Sequence, residues 1–284
     1  MRHFDTKPLF ARLANQAAFL HPDLLSKTLF AAVILRNERS NDGVQPELSS
    51  LCDPHSFRVL CDALIAKAHD LHPAPAMMAL TNLIQLGAEV SPATTRTLVT
   101  SCAFSEGTEG SKPHVHKLLQ ALQSSSASEQ VVRIVAQGSV AWLHSVLPRA
   151  TPKDICAVLS CTHMVDQDPR KVGMDVPAIM DRVRQLIAAK RFSMHGWAVL
   201  FLTFGPSLQQ ELGMDRGSME AAIKMTKWGR LNSTRLSALL FGLYRNNIRL
   251  ERHAVSMAHA CNACWAGMQP EMVARAALGA AHQR

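Results

Sequence analysis

Aromatic side chains are scarce in this chain: they make up 5% of its 284 residues, with a single tyrosine, Tyr244. A row of stacking platforms for single-stranded bases is therefore not written along the sequence. No apolar run approaches the roughly 20 residues that a membrane-spanning helix needs. The most apolar stretch, Trp197 to Phe204 (WAVLFLTF), is expected to be a buried helix face. Seven cysteines are an odd number without framework spacing, which argues against a disulfide-stapled secreted scaffold and for a reducing compartment. Strand alternation, a βαβ pattern and a glycine-rich phosphate loop are all missing. So are a nucleophile elbow, a paired-carboxylate context and an HExxH spacing. The expectation is an all-α protein that is not an enzyme, with no cofactor, no metal, no small-molecule substrate and no membrane as partner.

What is present is a rhythm of prolines. Pro54, Pro73, Pro92 and Pro113 are 19, 19 and 21 residues apart, and Pro152 and Pro270 follow at multiples of about 39. Each opens an apolar stretch of helical period. Proline suits the first turn of a helix, where its fixed φ fits and its missing N–H costs nothing. Asp53, Ser91 and Thr151, each just before such a proline, are candidate N-caps. A start signal every 19 residues or so describes a repeated helical hairpin, and repeats of 20–50 residues describe a solenoid.

Second helices are predicted to begin at Pro22, Pro73, Pro113, Pro152, Ser193, Asn232 and Pro270, at offsets of 51, 40, 39, 41, 39 and 38. Seven residues in stand Leu29, Leu80, Gln120, Leu159, Leu200, Leu239 and Ala277, the third out of step because Leu119 comes one place early. One residue before that column, Thr28, Ala79, Val158, Val199, Ala238 and Ala276 are small or β-branched, so neighbouring helices can interlock closely. First helices are expected over roughly 6–19, 54–70, 92–104, 128–146, 175–190, 217–229 and 250–266, with a short helix near 206–212. The reading is one α-solenoid over 1–284 of about seven hairpins with a repeat of about 38–40 residues: an irregular first hairpin and loop in 1–50, neutral repeats in 54–142 and basic repeats in 143–284.

The charge is lopsided. Residues 1–142 carry 12 basic and 12 acidic side chains, whereas residues 143–284 carry 18 and 10, so the whole net charge of +8 lies in the second half. Such asymmetry points to a polyanion, or else to a solubilising surface. The candidate phosphate contacts are Arg182, Arg184, Lys190 and Arg191 around one first helix, and Lys224, Lys227, Arg230, Arg235, Arg245, Arg249 and Arg252 in the next stretch. Helix ends in a solenoid line up along an edge, where such cations could track a phosphate backbone. Tyr244, Trp228 and Trp265 are the only plausible stacking aromatics nearby.

Cys261 and Cys264 form a CxxC with His259 close by, a spacing that zinc or a redox pair could use. Its Ala-rich surroundings (AHACNACWAG) favour two small residues on a packed helix. His114 and His116 diverge around a helix and suit a solvated terminus better than a shared metal. The first residues, with Arg2, Lys7 and Arg12 among apolar side chains, read either as the remnant of a mitochondrial transit peptide or as an ordinary first helix.

Segments such as Leu231–Arg249 (LNSTRLSALLFGLYRNNIR) and Phe192–Gly205 (FSMHGWAVLFLTFG) resemble the second helices of octotricopeptide-type repeats. They also resemble the related repeats of organellar RAP-domain proteins, including the FAST-kinase-like group. No RAP-like segment follows the repeats, and no repeat carries a recognisable base-reading pair. The resemblance implies an organellar, mostly mitochondrial, RNA-associated protein acting in RNA processing or editing, in ribosome assembly or as a ribosomal subunit. The expected partners are RNA, held by the basic half, and other proteins of a large complex, docked by the neutral half. The competing expectation is a pure protein-interaction scaffold with an acidic partner, and a cytoplasmic rather than a mitochondrial matrix location.

Overall fold

A computed structural model describes residues 5–38, 48–101, 112–123, 127–226, 231–250 and 253–283, and among them every regular element is helical. The chain divides into two compact units, Met1–Ser145 and Val146–Arg284. Residues 143–145 are uncharged, so the second unit is also the one that carries the whole +8.

The first unit contains α1 (Lys7–Asn15), α2 (Pro22–Glu38), α3 (Pro54–Ala66), α4 (Pro73–Gln85), α5 (Pro92–Ser101), α6 (Lys112–Gln123) and most of α7 (Glu129–Val146). The second contains α8 (Pro152–Val165), α9 (Val176–Ala188), α10 (Met194–Phe204), α11 (Leu208–Leu212), α12 (Arg216–Lys224), α13 (Ser233–Arg245), α14 (Ala254–Cys264) and α15 (Pro270–His282). The prolines stand where expected, at the first turn of each helix they open. The caps beside them are made. Asp53 Oδ1 accepts from the Ser56 N–H at 2.8 Å, and Ser91 Oγ from that of Thr94 at 3.1 Å. Thr151 and the buried Asp154 form a reciprocal capping box. The two late hairpins that lack the proline use their caps alone: Ser193 Oγ accepts from Gly196 N at 3.2 Å and Asn232 Oδ1 from Arg235 N at 3.0 Å.

Several first helices stop short of their predicted ends, and a repeated turn explains it. Ala17–Phe19, Ala68–Asp70, Leu147–Arg149 and Trp265–Gly267 are each one turn of 3₁₀-helix. Each is followed by an extended residue (Leu20, Leu71, Ala150, Met268), a cap position and then a proline. The tighter i→i+3 bonding lets the chain leave one helix and enter the next within a few residues. In two hairpins the carbonyl of that extended residue is captured from a later first-helix segment, and that of the residue just before the Asn232 cap is captured likewise. Lys67 Nζ donates to Leu20 O at 2.7 Å, Arg182 Nε and Nη2 to Ala150 O at 3.1 and 3.0 Å, and Cys264 Sγ to Leu231 O at 3.2 Å.

Second helices pack on one another in chain order within each unit, α2 on α4 on α6 and α8 on α10 on α13 on α15. The buried column Leu29, Leu80, Leu159, Leu200 and Leu239 lies in these contacts, and Leu119 takes the place of the exposed Gln120. The last hairpin departs from the expected column: Ala277 is exposed and Ala276 is buried. Ser193 and Asn232 also prove to be N-caps rather than first helical residues, which shifts their helices by one place relative to the proline-started ones. In that corrected register a bond recurs. Ser26, four residues after the start of α2, donates to Pro75 O, and Ser237, four residues after the start of α13, donates to Met272 O.

Nine residues after the starts of α13 and α15 stand Gly242 and Gly279. A Cβ on Gly242 would lie 2.5 Å from Phe201 Cβ, and one on Gly279 would lie 2.3 Å from the backbone oxygen of Leu240. Glycine is therefore required for these helices to come this close. The helix α10 is buried on nearly all sides, as its apolar sequence predicts for a helix wedged between two others.

Candidate functional site

The predicted phosphate contacts do not share one edge. Lys227, Arg230 and Arg252, together with Trp228, lie outside the described residues. Arg235 sits in the first turn of α13, close enough to Cys156 in α8 and His195 in α10 to act on them electrostatically. Arg245 closes the other end of α13, about 15 Å away along the axis at 1.5 Å per residue. Lys190 and Arg191 stand in the turn entering α10, on the side of Arg235, while Arg249 follows α13 on the side of Arg245. Desolvation lowers the pKa of the half-buried Arg235.

Three of the predicted cations are committed internally. Arg182 caps the Ala150 carbonyl and also donates to Gln185. Arg184 donates to Leu212 O at the end of α11 and pairs with Asp181. Lys224 pairs with Glu220 one turn earlier. Lys190, Arg191, Arg245 and Arg249 are exposed and have no carboxylate partner among the described residues.

The structure adds a site that the charge runs alone did not reveal. A groove of about 500 Å³ opens over the C-terminal ends of α8, α10 and α13 and reaches Arg275 of α15. At its centre is the partly buried ring of Phe241. Arg245, one turn along the same helix, places Cζ 5.8 Å from the ring centroid, and Arg275 places its own at 5.7 Å. Both distances are within cation–π range. Arg275 also pairs with Glu271 across one exposed helix turn, a contact of small worth. Arg170, at the groove's lip, is held differently: its guanidinium meets both oxygens of Glu211 at 2.6 and 2.7 Å and lies 3.6 Å from Asp168. The hydrogen bond to Glu211 is the main reason its pKa rises above the ordinary value. His163 also lines the groove; burial lowers its pKa, and its Nδ1 has no hydrogen-bond partner.

Phe241 and Arg245 stand at i, i+4 in the sequence, so half of this cluster was legible as a helix-face pair. Arg275 comes from the next second helix and needed the α13–α15 contact to be placed. Tyr244 is 40% exposed, 6.1 Å from Phe241 and edge-on to His282 at 5.7 Å; Trp265 is 52% exposed.

The CxxC has no third potential metal ligand grouped with it among the described residues. No group of three potential ligands occurs among the described residues, His259 is exposed, and Cys264 is engaged with Leu231 O. The side chain of His114 lies outside the described residues, whereas His116 meets Trp142 edge-on at 6.4 Å. Among the described residues no helix is long and apolar enough to cross a membrane. No family model, no curated protein and no solved structure matches the chain.

Proposed function

We propose that this chain is a non-enzymatic, solenoid-like helical-repeat protein that holds RNA through its phosphates within a mitochondrial ribonucleoprotein. That complex would be a ribosome, an assembly intermediate or an RNA-processing machine. The observation that carries the reading is how the second unit uses its acids. Of its ten, Glu251 lies outside the described residues and the other nine all have local work. Asp154, Asp168, Asp175 and Asp215 cap helix or turn starts. Asp166, Asp181, Glu211, Glu220 and Glu271 pair with Lys171, Arg184, Arg170, Lys224 and Arg275. With every described carboxylate spent inside the scaffold, the excess cations face solvent uncompensated, which is the electrostatic footprint of a phosphate-binding surface. The mitochondrial setting rests on the resemblance of the second helices to organellar repeats.

The neutral first unit supports protein docking in the same complex. It exposes Leu9, Phe19, Leu24, Phe30 and Ile34, with Phe19 at 90%. Apolar exposure of this kind marks contact surfaces when it is contiguous.

The test is the salt dependence of RNA binding. Replacing Lys190, Arg191 and Arg249 together with Glu removes three phosphate contacts and should lower the slope of log K against log salt by about 2 for single strands. An unchanged affinity and slope would refute the reading. On ribonuclease digestion of the native complex, loss of partners is expected; their full retention would favour the scaffold with an acidic protein partner.

A further inference from the structure

The groove around Phe241 differs from the exposed cations in its charge balance. Arg170 is neutralised by Glu211 and Asp168, and Arg275 is offset by Glu271, so Arg245 alone remains without a carboxylate. Three guanidiniums and three carboxylates balance, so the site offers one unpaired guanidinium, Arg245, rather than a net charge, together with flat surfaces: a phenyl ring and guanidinium planes around it. Unstacked bases of single-stranded RNA pack on such aromatic and guanidinium faces, whereas a base paired inside a duplex has no free face to offer.

A volume of about 500 Å³ falls in the range of ligand clefts and fits one planar group with its sugar rather than a duplex. The contact between Arg275 and Glu271 is exposed on both sides and is weak enough to exchange. Arg170 Nη2 donates to both oxygens of Glu211, which is only 16% exposed, and this pair fixes the groove's lip against α11.

We infer that this groove takes one unstacked ribonucleotide of a single-stranded RNA, its base against Phe241 and the flanking guanidiniums and its phosphate on Arg245. This rests on the RNA reading above and makes it specific: Lys190, Arg191 and Arg249 attract the strand, and the groove selects single strands over duplex. Base stacking leaves the salt slope alone, because it releases no counterion, so ring and cations are separable by experiment.

The experiment is fluorescence anisotropy with a short labelled oligouridine at several salt concentrations, using the full chain. Phe241→Leu, which keeps an apolar side chain on the helix, is expected to weaken binding about tenfold with the salt slope unchanged. Arg245→Gln should weaken binding and lower the slope by about 0.7. A blunt-ended RNA duplex of equal charge should fail to displace the single strand. Wild-type affinity in Phe241→Leu, equal competition by the duplex, or displacement by polyglutamate as effective as by RNA would each overturn the inference. The last of these would assign the groove to an acidic protein partner. If Phe241→Leu unfolds, Arg245→Gln at the exposed helix end carries the test, and its wild-type affinity would overturn the inference equally. Absence of RNA binding by the wild-type chain would instead bring down the RNA reading itself, so the two failures are distinct.

Discussion

Gly279 offers a test of the scaffold in which two ordinary rules give opposite signs. It lies inside α15, and replacing a helix-interior glycine with alanine normally stabilises by about 1 kcal/mol. Here the new Cβ would stand 2.3 Å from the backbone oxygen of Leu240 and 2.4 Å from its carbonyl carbon. Ordinary contact begins near 3.4 Å, so α15 must retreat from α13 by about 1 Å. No rotamer change can relieve a clash with backbone. Overpacking of this kind costs typically 1–3 kcal/mol, and a backbone clash belongs near the top of that range, so a net loss of about 1–2 kcal/mol is expected from Gly279→Ala. The assay is urea unfolding followed by circular dichroism, with hydrogen exchange to locate the effect. The midpoint should fall, and protection should be lost first in α15, which packs on α13 as its main neighbour. Ala277→Gly, two residues away on the exposed face, should also destabilise, by about 1 kcal/mol, for the opposite reason. A Gly279→Ala variant more stable than wild type would refute the close α13–α15 approach.

Thr151→Ala removes the hydroxyl of the capping box and leaves the Asp154 carboxylate, buried at 2% exposure, with one donor fewer. A loss of about 1–2 kcal/mol is expected by chemical denaturation, and a neutral outcome would show that the cap is not formed. Burial pushes the thiols of Cys156 and Cys161 up to about 12. Both should therefore resist alkylation at pH 8 in the folded protein and react on unfolding, as peptide mapping by mass spectrometry would read; rapid native labelling would contradict their place in the core. The same two thiols fix a sign for alkaline stability. The unfolded chain releases their protons near pH 9 while the native state keeps them, so stability should fall as pH rises from about 9 towards 12.

Much of the architecture was legible because its signals are local. A proline at a first turn and an apolar row behind it act within a few residues, and the helices at Pro54, Pro73, Pro152 and Pro270 begin where those signals lie, the first and third with an Asp or Thr cap as well. The register of the last hairpins was less legible. Ser193 and Asn232 stand one place ahead of the prolines they replace, because a cap residue precedes the helix whereas a proline belongs to it. The 3₁₀ turns escaped notice for a related reason. Alanine and aromatic residues at Ala17–Phe19 and Trp265–Gly267 continue the apolar pattern, and only the need to reverse the chain tightens the winding.

The site divides along the same line between local and non-local causes. Charge counting rightly locates the excess in the second half but cannot tell a free cation from an occupied one. Arg182 and Lys190 look alike in the string RVRQLIAAKR; yet Arg182, inside α9, reaches the Ala150 carbonyl 32 positions away, and Lys190, past the end of α9 with φ of 55°, finds no carboxylate among the described residues. The same acids that look like dilution of the positive charge in a composition count are drawn into caps and one-turn bridges by the helices themselves. Each helix start that recruits an Asp holds that carboxylate at the cap, away from the cations further along the chain. A repeat scaffold with acid-capped helices therefore leaves its net +8 unchanged but decides which cations stay unpaired, and among the described residues Lys190, Arg191 and Arg249 stay so where the chain turns.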